Sequence, residues 1–128
     1  MRRILYNDDG AIALEFALVV PVFLLLVLGI FGLALILWTE NSIQYAVEQA
    51  ARCAAVDATD CGTAAAVRDA TIAWAGGVPL AATDVTVNLA ATCAAGQSGK
   101  AVAVRHTITY FVFVDVNTAA EACYPALN

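Results

Sequence analysis

The segment from Asp9 to Thr39, DGAIALEFALVVPVFLLLVLGIFGLALILWT, decides how this chain is organised. From Phe16 to Thr39 it holds no charged residue. A helix that rises about 1.5 Å per residue crosses a hydrocarbon layer of about 30 Å with roughly 20 residues, so this stretch is predicted to span a membrane. A charged group costs about 2.5–3.5 kcal/mol at the centre of a membrane helix and less near its ends, so Glu15 is expected to have a function.

The flanking residues predict the orientation of this span. Arg2 and Arg3 are the basic residues that precede it, and Trp38 closes it at a position typical of interfacial aromatics. Because basic residues favour the cytoplasmic side, we expect a cytoplasmic N-terminus and an outer C-terminal part. An ordinary signal peptide is the alternative, but its apolar core runs about 7–15 residues, whereas this one is longer and contains Glu15 and Pro21.

The composition limits the classes of function. Hydrophobic residues make up 62% of the 128 residues and the mean hydropathy is +0.79, above the roughly 45–50% apolar content of soluble domains. The formal net charge is −5, and no basic patch follows the span. We therefore expect no binding to nucleic acid.

The helical pattern continues beyond the span. Apolar residues at spacings of three and four predict one helix from about Ala11 to Val56, with a kink expected at Pro21: Ile43, Val47, Ala50, Ala51 and Ala54. The segment DATDCGT ends it, and a second helix is predicted from Thr63 to Ala75, with Val67, Ala70, Thr71 and Trp74 on one face.

Strands are predicted in the last third of the chain. The alternation in DVTVNLAAT (84–92) predicts a half-buried strand, AAGQSGK (94–100) a turn, and AVAVRHTITYFVFV (101–114) the longest strand. A short return segment at Ala119–Tyr124 is a candidate third strand. The fold class is therefore α+β: a long N-terminal transmembrane helix (11–38) continues into an outer domain (39–128) with a second helix and a two- to three-stranded antiparallel sheet.

Four cysteines lie in the outer domain, and none lies in the span. In an oxidising compartment this distribution predicts disulfides, for which three pairings are possible. Sequence proximity favours Cys53–Cys61 and Cys93–Cys123. A zinc site is the alternative, but the usual separation of two to four residues within a cysteine pair does not occur.

No catalytic, cofactor-binding or metal-binding residues are predicted, so we expect neither an enzyme nor a cofactor. His106, the sole histidine, shares strand parity with apolar residues and is interpreted as structural. Asp57 and Asp60 are interpreted as capping a helix end, because the other ligands of a calcium loop are missing. Tyr110, Phe111 and Phe113 are expected in the core of a strand buried on both faces.

The leader residues carry a resemblance to a known family. The stretch from Gly10 to Phe16, followed at once by the apolar span, resembles the class III prepilin pattern of Gly, four residues and Glu-Phe. The segments WTENSIQYAVEQAARCAAVDATDCGT (38–63) and ACYP (122–125) extend the resemblance to TadE-like minor pseudopilins of the tight-adherence (Flp/Tad) pilus system.

This resemblance implies a processing site and a set of partners. A prepilin peptidase would remove residues 1–10 as a leader by cutting between Gly10 and Ala11, and Glu15 and Phe16 would guide assembly. The partners implied are other pilin and pseudopilin subunits, contacted through the N-terminal helix, the inner-membrane assembly machinery and membrane lipid. The implied location is the bacterial inner membrane, with a periplasmic domain, or an extracellular pilus, where adhesion is a further implied role.

Two other functions stay open at this point. The chain could be a single-pass anchor for a periplasmic interaction domain that never enters a filament. It could also form an adhesive tip on a pilus. Processing distinguishes the plain anchor from a pilus subunit, since an anchor would keep Met1.

Overall fold

A computed structural model describes residues 8–110 and 114–126 of the chain. The helices and strands follow in the order α1 (Asp8–Val56), α2 (Ala64–Trp74), β1 (Val85–Thr92), β2 (Ser98–Tyr110) and β3 (Val114–Pro125). The predicted α+β fold is confirmed. Arg2 and Arg3, on which the orientation depends, and Phe111 and Phe113 lie outside the described residues.

Helix α1 is one continuous helix, with Pro21 inside it. It begins at Asp8, three residues before the predicted start. Among the helices of the described residues, α1 alone is long and apolar enough to cross a membrane. Residue contacts divide the chain into two compact units, with the boundary between Leu35 and Ile36. We call the part from Ile36 onwards the outer unit.

Helix α2 begins as the sequence predicts. The Thr63 hydroxyl accepts a hydrogen bond from the backbone N–H of Ala66 at 3.2 Å, as an N-cap residue does. Gly76 and Gly77 follow the helix with φ of 64° and 87°, a backbone conformation that glycine adopts without steric cost. The predicted apolar face is only partly buried, because Trp74 keeps 40% of its surface exposed.

The three strands form an antiparallel sheet in the order β1-β2-β3. Helix α1 contributes the predicted stripe to its core, and all five residues of that stripe are buried. The core is formed by small and β-branched side chains of both helices and of β1 and β2, among them Ile43, Ala46, Val47, Ala50, Ala51, Val67, Val85, Val102 and Val104.

The strand boundaries differ from those predicted. The strand predicted over 101–114 was placed wrongly at both ends: β2 starts at Ser98, inside the predicted turn, and ends at Tyr110, while Val114 already belongs to β3 and pairs with Tyr110. Strand β3 is also twice the predicted length. The cause is that the residues on either side of the observed boundaries, Ile108, Thr109 and Tyr110 before and Val114 after, are all β-branched or aromatic and favour a strand equally.

Strand β2 is not buried on both faces, so that expectation was wrong. Arg105, Thr107 and Thr109 are exposed, whereas Val102 and Val104 are fully buried. This alternation is the pattern of a strand with one face on the core and one face on solvent. Tyr110, the one described residue of the predicted aromatic run, is half-buried.

Candidate processing and assembly segment

The residues of the predicted cleavage site lie in the first turns of α1. Gly10 is exposed, and a Cβ placed on it would meet no atom within 4 Å. Its backbone is helical rather than extended. A peptidase that needs an extended chain must therefore unwind the first turn, which is eased there because the first N–H groups of a helix have no intrahelical partner and Gly stabilises helices about 1 kcal/mol less than Ala.

Glu15 and Phe16 follow within the same helix. Both side chains are exposed, Phe16 with 69% of its surface. Glu15 lies four residues after Ala11, so the two occupy the same helix face one turn apart. A cut after Gly10 would make Ala11 a charged N-terminus at about the distance at which oppositely charged (i, i+4) groups interact. A carboxylate near a helix N-terminus is also favoured by the helix dipole.

The apolar stretch that follows is open on all sides. Only 6% of the 18 most apolar consecutive residues are buried inside the structure. Within the described residues, no ion pair involves Glu15. A helix that is apolar all round requires lipid or other helices around it. The segment therefore offers one carboxylate at the start of a long surface that water does not solvate well.

The structure brings the four cysteines together in the predicted pairs. Cys53 and Cys61 have Cα atoms 5.7 Å apart, and the bond joins the end of α1 to the turn before α2. Cys93 and Cys123 have Cα atoms 5.6 Å apart, and the bond joins the residue after β1 to β3. Both pairs lie in the outer unit, whereas the Gly10–Phe16 segment lies in the other unit.

Two polar contacts of the outer unit were not predicted. The hydroxyls of Thr39 and Tyr110 lie 2.7 Å apart, and His106 Nδ1 lies 2.7 Å from Asp84 Oδ2. Asp84 also accepts a hydrogen bond from the Ala81 backbone N–H at 3.0 Å. That backbone hydrogen bond, opposed by partial burial and aided by His106, lowers the pKa of the Asp84 carboxyl below its ordinary value. Spacing alone carries no signal for either contact, since each joins residues from different elements.

His106 has a hydrogen-bonding partner, as expected of a structural residue, whereas Asp57 binds the turn after α1 and no contact of the Asp60 side chain with a helix end is seen among the described residues. His106 is half-buried and paired with Asp84. Asp57 Oδ1 accepts hydrogen bonds from the backbone N–H groups of Thr59 and Asp60, at 2.9 and 3.1 Å, in the turn that follows α1. In the part of the chain that the structure describes, no group of three or more His, Cys, Asp or Glu residues is arranged to hold a metal ion.

Comparison with known families supports the resemblance. Residues 10–52 match the family described as TadE-like protein. The matched stretch covers about a third of the chain, begins at the predicted cleavage site and ends within α1. No curated protein and no solved structure matches the chain significantly. The matched residues do not include α2 or the sheet.

Proposed function

Since residues 10–52 form a TadE-like segment, we propose that this protein is a minor pilin, or pseudopilin, of a Flp/Tad-type pilus. A prepilin peptidase cuts it after Gly10, and the subunit waits in the bacterial inner membrane with its N-terminus cytoplasmic and its outer unit periplasmic. The assembly machinery then brings its helix together with those of other pilin and pseudopilin subunits. In this role the chain is a substrate and a structural part, and it has no catalytic activity of its own.

The observation that carries the proposal is Glu15 at the start of an exposed apolar helix, five residues after Gly10. In lipid the carboxylate lies near the wet headgroups. In a bundle of helices it enters drier surroundings, where an unpaired charge costs several kcal/mol and an ion pair with the Ala11 ammonium of a neighbouring subunit offsets much of that cost. The pair also fixes the axial step between subunits, because sliding by one turn separates the charges.

The test is the N-terminus of the protein in membranes of a cell that makes the pilus. We expect N-terminal sequencing to start at Ala11 and the mass to lack the first ten residues. Gly10→Val should leave the precursor, because a branched Cβ hinders the close approach of the peptidase to the backbone. Gly29→Val, in the same helix, should mature normally. A mature protein that starts at Met1 contradicts processing and favours the plain membrane anchor.

The plain anchor has one observation in its favour. The outer unit has its own core and two internal disulfides, which suits a domain that packs without neighbouring subunits. An adhesive role, at the tip or along the filament, would also use this unit. Locating the protein in purified pili by immunogold labelling distinguishes these roles: labelling of the membrane alone would support the anchor.

A further inference from the structure

The direction of β3 relative to residues 37–52 of α1 can be read within the outer unit. One groove is lined by Leu37, Glu40 and Gln44 of α1 together with residues 118–120 of β3. A second groove is lined by residues 48–52 of α1 together with residues 122–124 of β3. Strand β3 thus runs in the same direction as this part of α1. The first residues of β3 therefore lie towards the N-terminal end of the outer unit, where the uncharged stretch of sequence ends at Thr39.

The β2–β3 hairpin reaches the level of Thr39. Val114 lies four residues before Thr118, or about 13 Å further along the strand at about 3.3 Å per residue. Its partner Tyr110 places its hydroxyl 2.7 Å from that of Thr39. Val114 keeps 40% of its surface exposed. The hairpin therefore reaches at least as far as Thr39, where it presents the aromatic side chain of Tyr110.

The C-terminal end of α2 reaches the same level from another part of the fold. Gly76 lies against α1, since a Cβ placed on it would be 3.4 Å from the Ser42 hydroxyl. Ser42 follows Trp38 by four residues, which is about 6 Å along a helix. The headgroup layer of a bilayer extends about 5–8 Å beyond the hydrocarbon on each side. Trp74, two residues before Gly76, is 40% exposed.

We propose that Trp38, Trp74, Tyr110 and Val114 form an interfacial end of the outer unit that rests in the headgroup layer of the phospholipid bilayer, as a membrane contact additional to the spanning helix. This inference rests on the proposed membrane insertion of α1. Tryptophan and tyrosine suit this layer, because they combine an apolar ring with a hydrogen-bonding group. The contact would restrict how the outer unit tilts and turns while the subunit waits in the membrane.

Charge indicates which kind of surface this end accepts. The charged residues closest to it in sequence are Glu40 and Asp115, both acidic and exposed. Arg52 lines the groove at the other end of β3, and Lys100 pairs with Tyr124. Contact with lipid therefore depends on aromatic and apolar side chains and not on attraction to anionic headgroups. We expect it in neutral phosphatidylcholine and expect little change with salt, since screening acts on charges.

The two native tryptophans provide the test. The full-length protein is reconstituted in phosphatidylcholine vesicles with and without bromine atoms on the acyl chains close to the headgroup. In Trp38→Phe, Trp74 is the sole tryptophan. We expect its emission to shift to shorter wavelength on transfer from detergent to vesicles and to fall in brominated vesicles. Added salt and anionic lipid should leave that loss unchanged.

A second pair of variants tests the hairpin. In a chain without its native tryptophans, Val114→Trp should be quenched by brominated lipid. Glu121→Trp, at an exposed position seven residues further along β3, should be quenched by aqueous acrylamide instead. Formation of both disulfides, verified by mass after alkylation, shows that each variant has folded.

The variant Trp74→Phe separates this inference from the proposed function, because Trp38 then reports on the spanning helix. If brominated lipid quenches Trp38 but neither Trp74 nor Val114→Trp, the helix is inserted and the interfacial end is wrong. If it also leaves Trp38 unquenched, membrane insertion itself fails. Should shielding of Trp74 from acrylamide increase with the protein-to-lipid ratio, this end contacts another subunit and the lipid contact is refuted.

Discussion

The hydroxyl of Tyr110 lies 2.7 Å from the hydroxyl of Thr39, although 71 positions separate the two residues. The contact joins the end of β2 to the point of α1 where the uncharged stretch stops. Thr39 is 8% exposed, so its hydroxyl is largely withdrawn from water. A polar group in such a place is stabilised chiefly by a partner within the protein.

Tyr110→Phe should lower the free energy of unfolding of the outer unit by about 0.5–1.5 kcal/mol, because it removes one partner of a part-buried hydrogen bond and leaves the ring in place. Thermal or urea unfolding in detergent micelles, followed by near-ultraviolet circular dichroism, measures this change. Tyr45→Phe is the matched control, since Tyr45 is 56% exposed and should change stability by less than about 0.5 kcal/mol. Equal effects of the two variants would refute a stabilising role for the contact.

The two disulfides should differ in their contribution to stability. In the loop-entropy model, closing a separation of 8 residues contributes about 2.5 kcal/mol and a separation of 30 about 3.6 kcal/mol. The double variant Cys93→Ala/Cys123→Ala should therefore unfold at a lower urea concentration than Cys53→Ala/Cys61→Ala. Peptide mapping of the unreduced protein should recover the two native pairs. The reverse order of the unfolding midpoints would mean that native packing, and not loop length, governs their contributions.

The stability of the outer unit should fall in acid because of Asp84. Its hydrogen bonds with the Ala81 backbone and His106 hold the pKa of the folded carboxyl below its ordinary value of 3.8. A lowered pKa stabilises the fold above pH 3.8, and this contribution is lost as the pH falls through the folded pKa. Asp84→Asn should thus be less stable than the native protein at pH 7, and the difference should shrink below about pH 4. A difference that does not change with pH would assign the effect to packing.

Glu15→Gln tests the proposed assembly role of the carboxylate. The variant keeps the shape of the side chain and removes its charge, so cleavage, insertion and disulfide formation should be normal while incorporation into pili is lost. Immunoblots of sheared pili and of membranes measure the two pools. Glu40→Gln is the control, because Glu40 is also exposed on α1 but lies beyond the apolar stretch. Normal incorporation of Glu15→Gln would leave the carboxylate without the proposed role.

The helices and the disulfides could be predicted from the sequence because their signals are local. Buried residues of α1 recur every three or four positions, and Thr63 marks the start of α2. The end of β2 at Tyr110 and the start of β3 at Val114 could not be located, because the sequence from Ile108 to Val114 consists of strand-forming residue types throughout. The Gly10–Phe16 pattern identified the candidate site, but the contact between Thr39 and Tyr110 depends on packing that no short pattern encodes.

The alanine-rich core has a consequence for when the protein folds. Alanines provide four of the buried positions of α1 in the outer unit, and each buries little apolar area: Ala46, Ala50, Ala51 and Ala54. The two disulfides together contribute about 6 kcal/mol, comparable with the whole stability of many small domains, about 5–15 kcal/mol. We therefore expect the reduced chain to be readily digested by protease at 37 °C and the oxidised chain to resist. A protease-resistant reduced chain would exclude this dependence. If folding depends on the disulfides, the outer unit stays unfolded, and fit for export, until it reaches an oxidising compartment. The redox state of that compartment then sets the moment of folding.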